Sequence, residues 1–318
     1  MTTAKKAAGA LDPRVRDVIE TIEVAGGASH ARLPGRELTA RTPRDMRAQL
    51  ASAIYECFHA GFPVSPKAAR TLRDAALEAA FTDAVPHRHT PLTVPVIHAG
   101  DSPEIVVEIS GVRVEVPRTM VDPAAGPVRE GRPVPLTWPA VNPAVSPGYF
   151  FVTGSRGAPR GRSLVRLYLH VGDPGLAPGL LRDTLVCLEA AGIPYRAKAG
   201  SVPHHYPRQD AMVVYLGPEA DAAVGHLVGA LGDHPALLQD TSVFARRQAP
   251  GMATASEPAD TRPGMRGMSF GEHRANVVAG ALIEDATGPD TGLKRHELVA
   301  QRFTEARVDP RSPADNLN

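Results

Sequence analysis

Between Arg166 and Tyr215, cationic and protonatable side chains recur at alternate positions of stretches that otherwise read as buried strand. In Val165-Arg166-Leu167-Tyr168-Leu169-His170-Val171 the aliphatic residues alternate with Arg166, Tyr168 and His170, and a period of two sends the two sets to opposite faces. Tyr195-Arg196-Ala197-Lys198 repeats the device with Arg196 and Lys198. A loop of residues 201–210 follows, carrying His204, His205, Tyr206 and Arg208. A strand face with so many cations and so few carboxylates suits an anion. The planar guanidinium of Arg166 or Arg208 can bond a phosphate through two donors at once. A second anion-binding feature is Ser269-Phe270-Gly271-Glu272, which has the spacing of a capping box and puts His273 and Arg274 in the first turns of a helix. Outward N–H groups and the positive dipole end would stabilise a phosphate there, more so with Arg274 beside it. For each arginine the competing reading is a structural ion pair, and Asp210 is the obvious partner of Arg208.

The elements that must position these residues divide the chain into three parts. Residues 1–90 read as a helical unit. A first helix spans about 12 to 24 on the spacing of Val15, Val18, Ile19 and Ile22, ended by Gly26-Gly27. A second is capped by Thr42, with Pro43 at its first position and an apolar stripe from Met46 to Phe58 ending at Gly61. A third starts at Ser65-Pro66 with Leu72, Leu77 and Phe81 inward. His87 and His89 form a His-x-His pair with no further ligand set nearby, so they read as a solvated loop. Residues 91–145 contain a hairpin, 105–109 and 112–116 about Ser110-Gly111, and then a proline-rich connection that cannot be helix and is expected to run as an extended arm. Residues 146–318 interleave strands at 148–152, 164–171, 194–199 and 211–216 with helices at 178–191 and 218–231. Because short loops also join strands directly, the expectation is an α+β fold, a mixed β-sheet with helices on one face, rather than a doubly wound parallel sheet.

Composition limits what this anion site can serve. The chain has 318 residues, 43% of them hydrophobic, enough to bury a substantial core. Thirty-five Lys and Arg against 34 Asp and Glu leave no bulk basic field, which argues against nucleic acid or an anionic membrane as partner, so anion recognition must be local. No run of apolar residues is long enough to span a bilayer, and the first residues lack the apolar core of a secretory signal, so the cytoplasm is expected. Cys57 and Cys187 sit among helical apolar residues and read as reduced core thiols, not a disulfide or a metal site.

The succession SPGYFF, VRLYLH, YRAK, YPRQDAMVVYL, APGM, SFGEHRANVVAGAL and DPRSPADNLN resembles the C-terminal part of the HopA-type bacterial type III effector family, over roughly residues 145–318. Members of that family also occur as separate lyase subunits of class V lanthipeptide synthetases and in thioamitide pathways. The family is similar in turn to phosphothreonine lyase effectors, which remove phosphate by β-elimination with a lysine base, a histidine acid and arginines on the phosphate. The resemblance implies that chemistry here, and the residues fit it. Elimination needs a base for the Cα proton, donors for the enolate-like charge, cations for the phosphate and an acid near the leaving oxygen, with no metal or organic cofactor. Lys198 is the base candidate, with Arg196 and partial burial favouring its neutral form. Its competing reading is an ordinary exposed strand-edge lysine. His170 is the natural acid, with His204 and His205 as loop rivals expected to be solvated. Tyr168 stands where the relatives carry the first residue of Lys-x-His, and it can still donate to a carbonyl or phosphate oxygen. Arg166, Arg208 and Arg274 are the phosphate binders, joined by Arg196, His273 and Tyr206 as further substrate contacts.

The expected substrate is a phosphorylated precursor peptide, converted to its dehydroamino-acid form. Nothing resembles a Walker loop or a kinase Gly-rich loop, so a separate kinase must install the phosphate, and a separate cyclase would follow. The N-terminal unit is a reasonable docking surface for that kinase or for a leader peptide. Two other classes stay open: a non-catalytic phosphopeptide- or leader-binding partner of a modifying complex, and a secreted effector acting on a host phosphoprotein.

Overall fold

The structure, a computed structural model, describes residues 10–62, 71–142, 145–161, 163–289 and 292–317. Asp12 caps α1 (Pro13–Glu20), accepting from the backbone N–H groups of Arg14 and Val15. The helix is shorter than its apolar spacing suggests, because the chain turns at Thr21 into β1 (Glu23–Val24). With β2 (His30–Leu33) and β3 (Arg36–Thr39) this makes a three-stranded antiparallel sheet inside what reads as an all-helical unit. The helix α2 (Pro43–Ile54) starts at the expected cap, with the Asp45 N–H donating to Thr42 Oγ1 at 3.1 Å. It then widens into a π-helical turn, Tyr55–Ala60, ended by Gly61 in the left-handed region at φ 85°. The expected third helix start at Ser65-Pro66 lies outside the described residues. Its described part is α3 (Ala75–Ala84), with Phe81 buried and Leu72 exposed, not inward.

Four strands follow as one sheet in the order β6-β5-β4-β7, where β4 is His89–His98, β5 Glu104–Ile109, β6 Val112–Pro117 and β7 Pro133–Pro139. Ser110 and Gly111 at φ 52° and 82° make the tight β5–β6 turn, as the sequence predicts. The proline-rich connection supplies β7, whose whole length pairs with residues 89–95 of β4.

The main sheet holds β8 (Tyr149–Thr153), β9 (Val165–Val171), β10 (Tyr195–Gly200), β11 (Arg208–Leu216), β12 (Arg246–Ala249) and β13 (Met252–Ser256). Their order is β12-β13-β9-β11-β10-β8, every pair antiparallel. Thus β8 pairs with β10, not with β9 that follows it in sequence. The helices α4 (Ala177–Ala190) and α5 (Ala220–Leu231) cover one face, burying Leu167, Leu169 and Val171 of β9. Contrary to the one-face expectation, the other face is also partly covered, by α6 (Phe270–Thr287) and the π-turn. The chain ends with α7 (Arg295–Glu305) and the hairpin of β14 (Val308–Asp309) and β15 (Ser312–Asn316). Gly251, at φ 67°, turns β12 into β13 so close to the Leu238 carbonyl that a Cβ would sit 2.2 Å from its oxygen. Among the described residues no helix is long and apolar enough to cross a membrane. Cys57 and Cys187 are both half-buried and are not joined to each other.

One hydrophobic core runs through α1, α2, α6 and α7 and includes Tyr168, Val213, Ala253 and Ala255 of the sheet. The N-terminal helices are therefore packed into the same apolar volume as the C-terminal ones. Leu50 of α2 is fully buried in it. Leu50→Ala is expected to lower stability by roughly 2–5 kcal/mol, the range for emptying a buried leucine site. Urea unfolding followed by circular dichroism measures it, and a loss under about 1 kcal/mol would separate α2 from the core.

Candidate functional site

Antiparallel register sets the cationic residues in two cross-strand rows. The first is Ala253, Tyr168, Val213, Lys198 and Phe151, and the second is Ala255, Arg166, Tyr215, Arg196 and Thr153. Lys198 and Tyr168 thus flank Val213, with backbones about 10 Å apart, two strand spacings. Arg166, Tyr168 and His170 do share a face, as the alternation predicts, but that face is no open platform. The three are 8%, 3% and 8% exposed: His59 of the π-turn and Phe270 of α6 cover Tyr168, Glu257 meets Arg166 and the Asp240 carbonyl meets His170. The half over β10 and β8 stays accessible: Arg196 is exposed, and Lys198, Tyr149, Phe151 and Tyr215 are half-buried.

Lys198 stands at the boundary between the covered and open halves. Its Nζ lies 4.2 Å from the centroid of the Tyr149 ring, a contact worth on the order of 1 kcal/mol. Among the described residues no carboxylate pairs with it. The His205 ring also packs near this aromatic, its centroid 5.5 Å from that of Tyr149. His205 is half-buried, not solvated, and burial followed by the nearby Arg208 and His204 push its pKa down to about 4. His204 is exposed, as expected. Tyr206 faces inward and donates to the Gly200 carbonyl at 3.0 Å, so it fixes the loop and does not reach a substrate.

Arg208 carries the ion pair that the sequence offers as the bland alternative. Its Nε and Nη2 donate to the two Asp210 oxygens at 2.6 and 2.8 Å, and Nη2 also meets Tyr55 Oη at 2.9 Å. Tyr55 donates its own proton to Asp210 Oδ2 at 2.9 Å. Arg208 outweighs the burial that would raise the Asp210 pKa and holds the carboxyl well below its usual range. Beside them His59 is 2% exposed, with Nδ1 2.8 Å from Ser242 Oγ and Nε2 3.9 Å from Asp210. Its ring stands edge-on to Tyr168, and a Cβ on Gly271 of α6 would overlap it at 2.1 Å. Desolvation, opposed by Asp210 and reinforced by Arg208, Arg166 and Lys198, lowers the His59 pKa to about 4. Tyr55 and His59 escape sequence reasoning. Both lie in a stretch that reads as an amphipathic helix end, and the signal that marks them, a π-turn, is visible only in the backbone.

The remaining candidates are all buried. Arg166 is committed to Glu257 by two bonds of 2.6 Å, with Tyr215 under its guanidinium. Tyr168 Oη is buried with no hydrogen-bond partner among the described residues, and burial raises its pKa in spite of Arg166. His170 Nδ1 donates to the Asp240 carbonyl at 2.9 Å, which leaves Nε2 unprotonated in the neutral ring, and burial lowers its pKa. The start of α6 has the expected capping box but presents no phosphate cradle. His273 and Arg274 are wholly buried. Arg274 donates to the Pro313 carbonyl and to His273 Nδ1, both at 2.7 Å, and His273 Nε2 donates to Asp260 at 3.0 Å. The pair locks the terminal hairpin and the 260–262 loop onto α6, and an inward Arg274 has no path to a surface anion.

A family model decides the assignment: it matches residues 140–315, more than half of the chain. The chain belongs to the HopA1 effector protein family. Two solved structures are similar to this member of the HopA1 family. One is an effector protein from Pseudomonas syringae pv. tomato strain DC3000, at 15% identity and a TM-score of 0.48, the match covering 87% of this chain and 96% of that one. The other is from Pseudomonas syringae pv. syringae strain 61, at 13% identity and a TM-score of 0.48, covering 88% and 100%. No curated protein matches the chain.

A buried imidazole with a depressed pKa makes stability acid-sensitive. Between about 6.5 and 4 the unfolded chain binds more protons at His59 than the folded one, so stability is present above that window and falls as the pH drops through it. The loss due to His59 is expected to be on the order of 2 kcal/mol by about pH 5. Thermal melts of His59→Gln should show a flatter pH dependence than wild type between pH about 7 and 5. Parallel curves would remove His59 as the source.

Proposed function

We propose that this HopA1-family chain is a phosphoserine or phosphothreonine lyase. The observation that carries the reading is Lys198: a half-buried amine, steered by an aromatic face and unpaired by any described carboxylate, at the edge of the covered part of the sheet face to which Arg208 and its partner Tyr55 belong. The neutral amine takes the Cα proton. The C–H electrons become the Cα=Cβ bond, and the Cβ–O pair leaves with the phosphate, giving dehydroalanine or dehydrobutyrine and inorganic phosphate. In this reading Arg208 and the exposed Arg196 meet the phosphate, whereas Arg166 shapes the field through its pair with Glu257. His170 receives a proton as the phosphate dianion approaches, since a nearby negative charge favours imidazolium, and returns it to the leaving oxygen through Nε2.

In this reading the substrate is a precursor peptide phosphorylated by a separate kinase, and the electrophilic alkene is passed to a cyclase. The same chemistry on a host phosphoprotein is the second reading, favoured by the effector family to which the chain belongs. Loss of about 98 Da from a phosphorylated precursor but not from a folded phosphoprotein supports the first reading, and the reverse supports the second.

Lys198→Ala is expected to cut single-turnover phosphate release by roughly 100-fold or more while leaving phosphopeptide binding nearly intact. Arg208→Ala weakens binding as well as rate, because its contact with phosphate exists in the ground and transition states alike. A Lys198→Ala protein eliminating at wild-type rate would remove this residue from the mechanism.

A further inference from the structure

Arg208 presents its guanidinium asymmetrically. The edge made by Nε and Nη2 is fully occupied by Asp210 and by the Tyr55 hydroxyl, while Nη1 makes no hydrogen bond among the described residues. The guanidinium also lies 5.9 Å from the Tyr55 ring centroid and 5.5 Å from that of Phe62. Tyr55 closes a triangle, since it accepts from Arg208 Nη2 and donates to Asp210 Oδ2, both at 2.9 Å. A guanidinium gripped along one edge cannot rotate about its long axis, so its free Nη1 keeps one direction. Tyr55 and Phe62 come from the end of α2 and the π-turn region, outside the residues 140–315 that match the family.

We propose that Tyr55 is a positioning residue of the phosphate site: by fixing the Arg208–Asp210 pair it aims Nη1 at the substrate phosphate, so the segment around the π-turn completes a site that the family region does not build alone. This rests on the reading of Arg208 as a phosphate contact. The role accounts for a hydroxyl that would otherwise add a third polar group to an already neutralised pair. It also gives the packing of α2 on α6 a functional sense, because that packing sets the height of Tyr55 above β11.

The test is a double-mutant cycle on the full chain, read by fluorescence anisotropy of a labelled phosphothreonine peptide. Tyr55→Phe keeps the ring against Arg208 and His59 and removes only the hydroxyl. It is expected to weaken binding roughly tenfold, the scale of one hydrogen bond to a charged group, and to raise KM with kcat nearly unchanged. In an Arg208→Lys background, where the fork is gone, the same substitution is expected to cost less than about twofold, since a residue acting through another cannot act once that partner is altered. Equal penalties in both backgrounds, or none in the first, would overturn the proposal. A wild-type chain that binds the phosphopeptide but never sheds phosphate would overturn the lyase reading alone, and the binding cycle would still decide the role of Tyr55.

Discussion

A buried carboxylate sets the terms for the rest of the molecule. Asp210 is 5% exposed, and an ionised carboxyl so far from water costs several kcal/mol unless its lone pairs are occupied. Arg208, two residues away, takes both oxygens, and Tyr55 takes one of them again. The geometry depends on an irregularity in β11. Val171 pairs with Arg208 and Leu169 with Met212, so two residues more on β11 than on β9 fill the interval. That bulge turns Asp210 into the sheet face and keeps Arg208 at its end.

The third bond to Asp210 comes from Tyr55 in the π-turn after α2, and the same turn, together with α6, divides the cationic face. Under α6 and the π-turn the polar groups of β9 become interior residues, each tied to a partner or left orphaned like Tyr168. Over β8 and β10 they stay free to meet a ligand. In the proposed reading the chemistry falls at the seam, where Lys198 has an aromatic neighbour and Arg208 a rigid one.

The α+β class, the strand alternation of β9, the β5–β6 hairpin and the caps of α2 and α6 are legible in the sequence because each rests on local pattern or capping chemistry. What hides is whatever depends on the partner element. His273 and Arg274 occupy the expected first turns of α6, but nothing local tells whether that turn faces solvent or the terminal hairpin. Arg166 has no partner in its own neighbourhood of the sequence until Glu257, 91 residues away, is seen to grip it, whereas the Asp210 pair of Arg208 is local and legible. Lys198 reads alike as an exposed lysine or a base, and only register brings Tyr149 beneath it. The small β1–β3 sheet is missed because two- and four-residue strands carry too few positions for a period to be counted.

The two-sided burial of β9 limits how the family can diversify. Slipping its register by one residue would drive Arg166, Tyr168 and His170 into the aliphatic layer of α4 and α5 and bring Leu167 and Leu169 under α6. Substitutions that retune chemistry on β9 are therefore also substitutions in a core. The tolerant positions are those near the site whose side chains reach water, such as Phe151 and Thr153 of β8 and His204 of the 201–207 loop. New substrate preferences have room to drift there while the inner wall stays fixed, so selection can act on recognition and on folding through largely separate sets of residues.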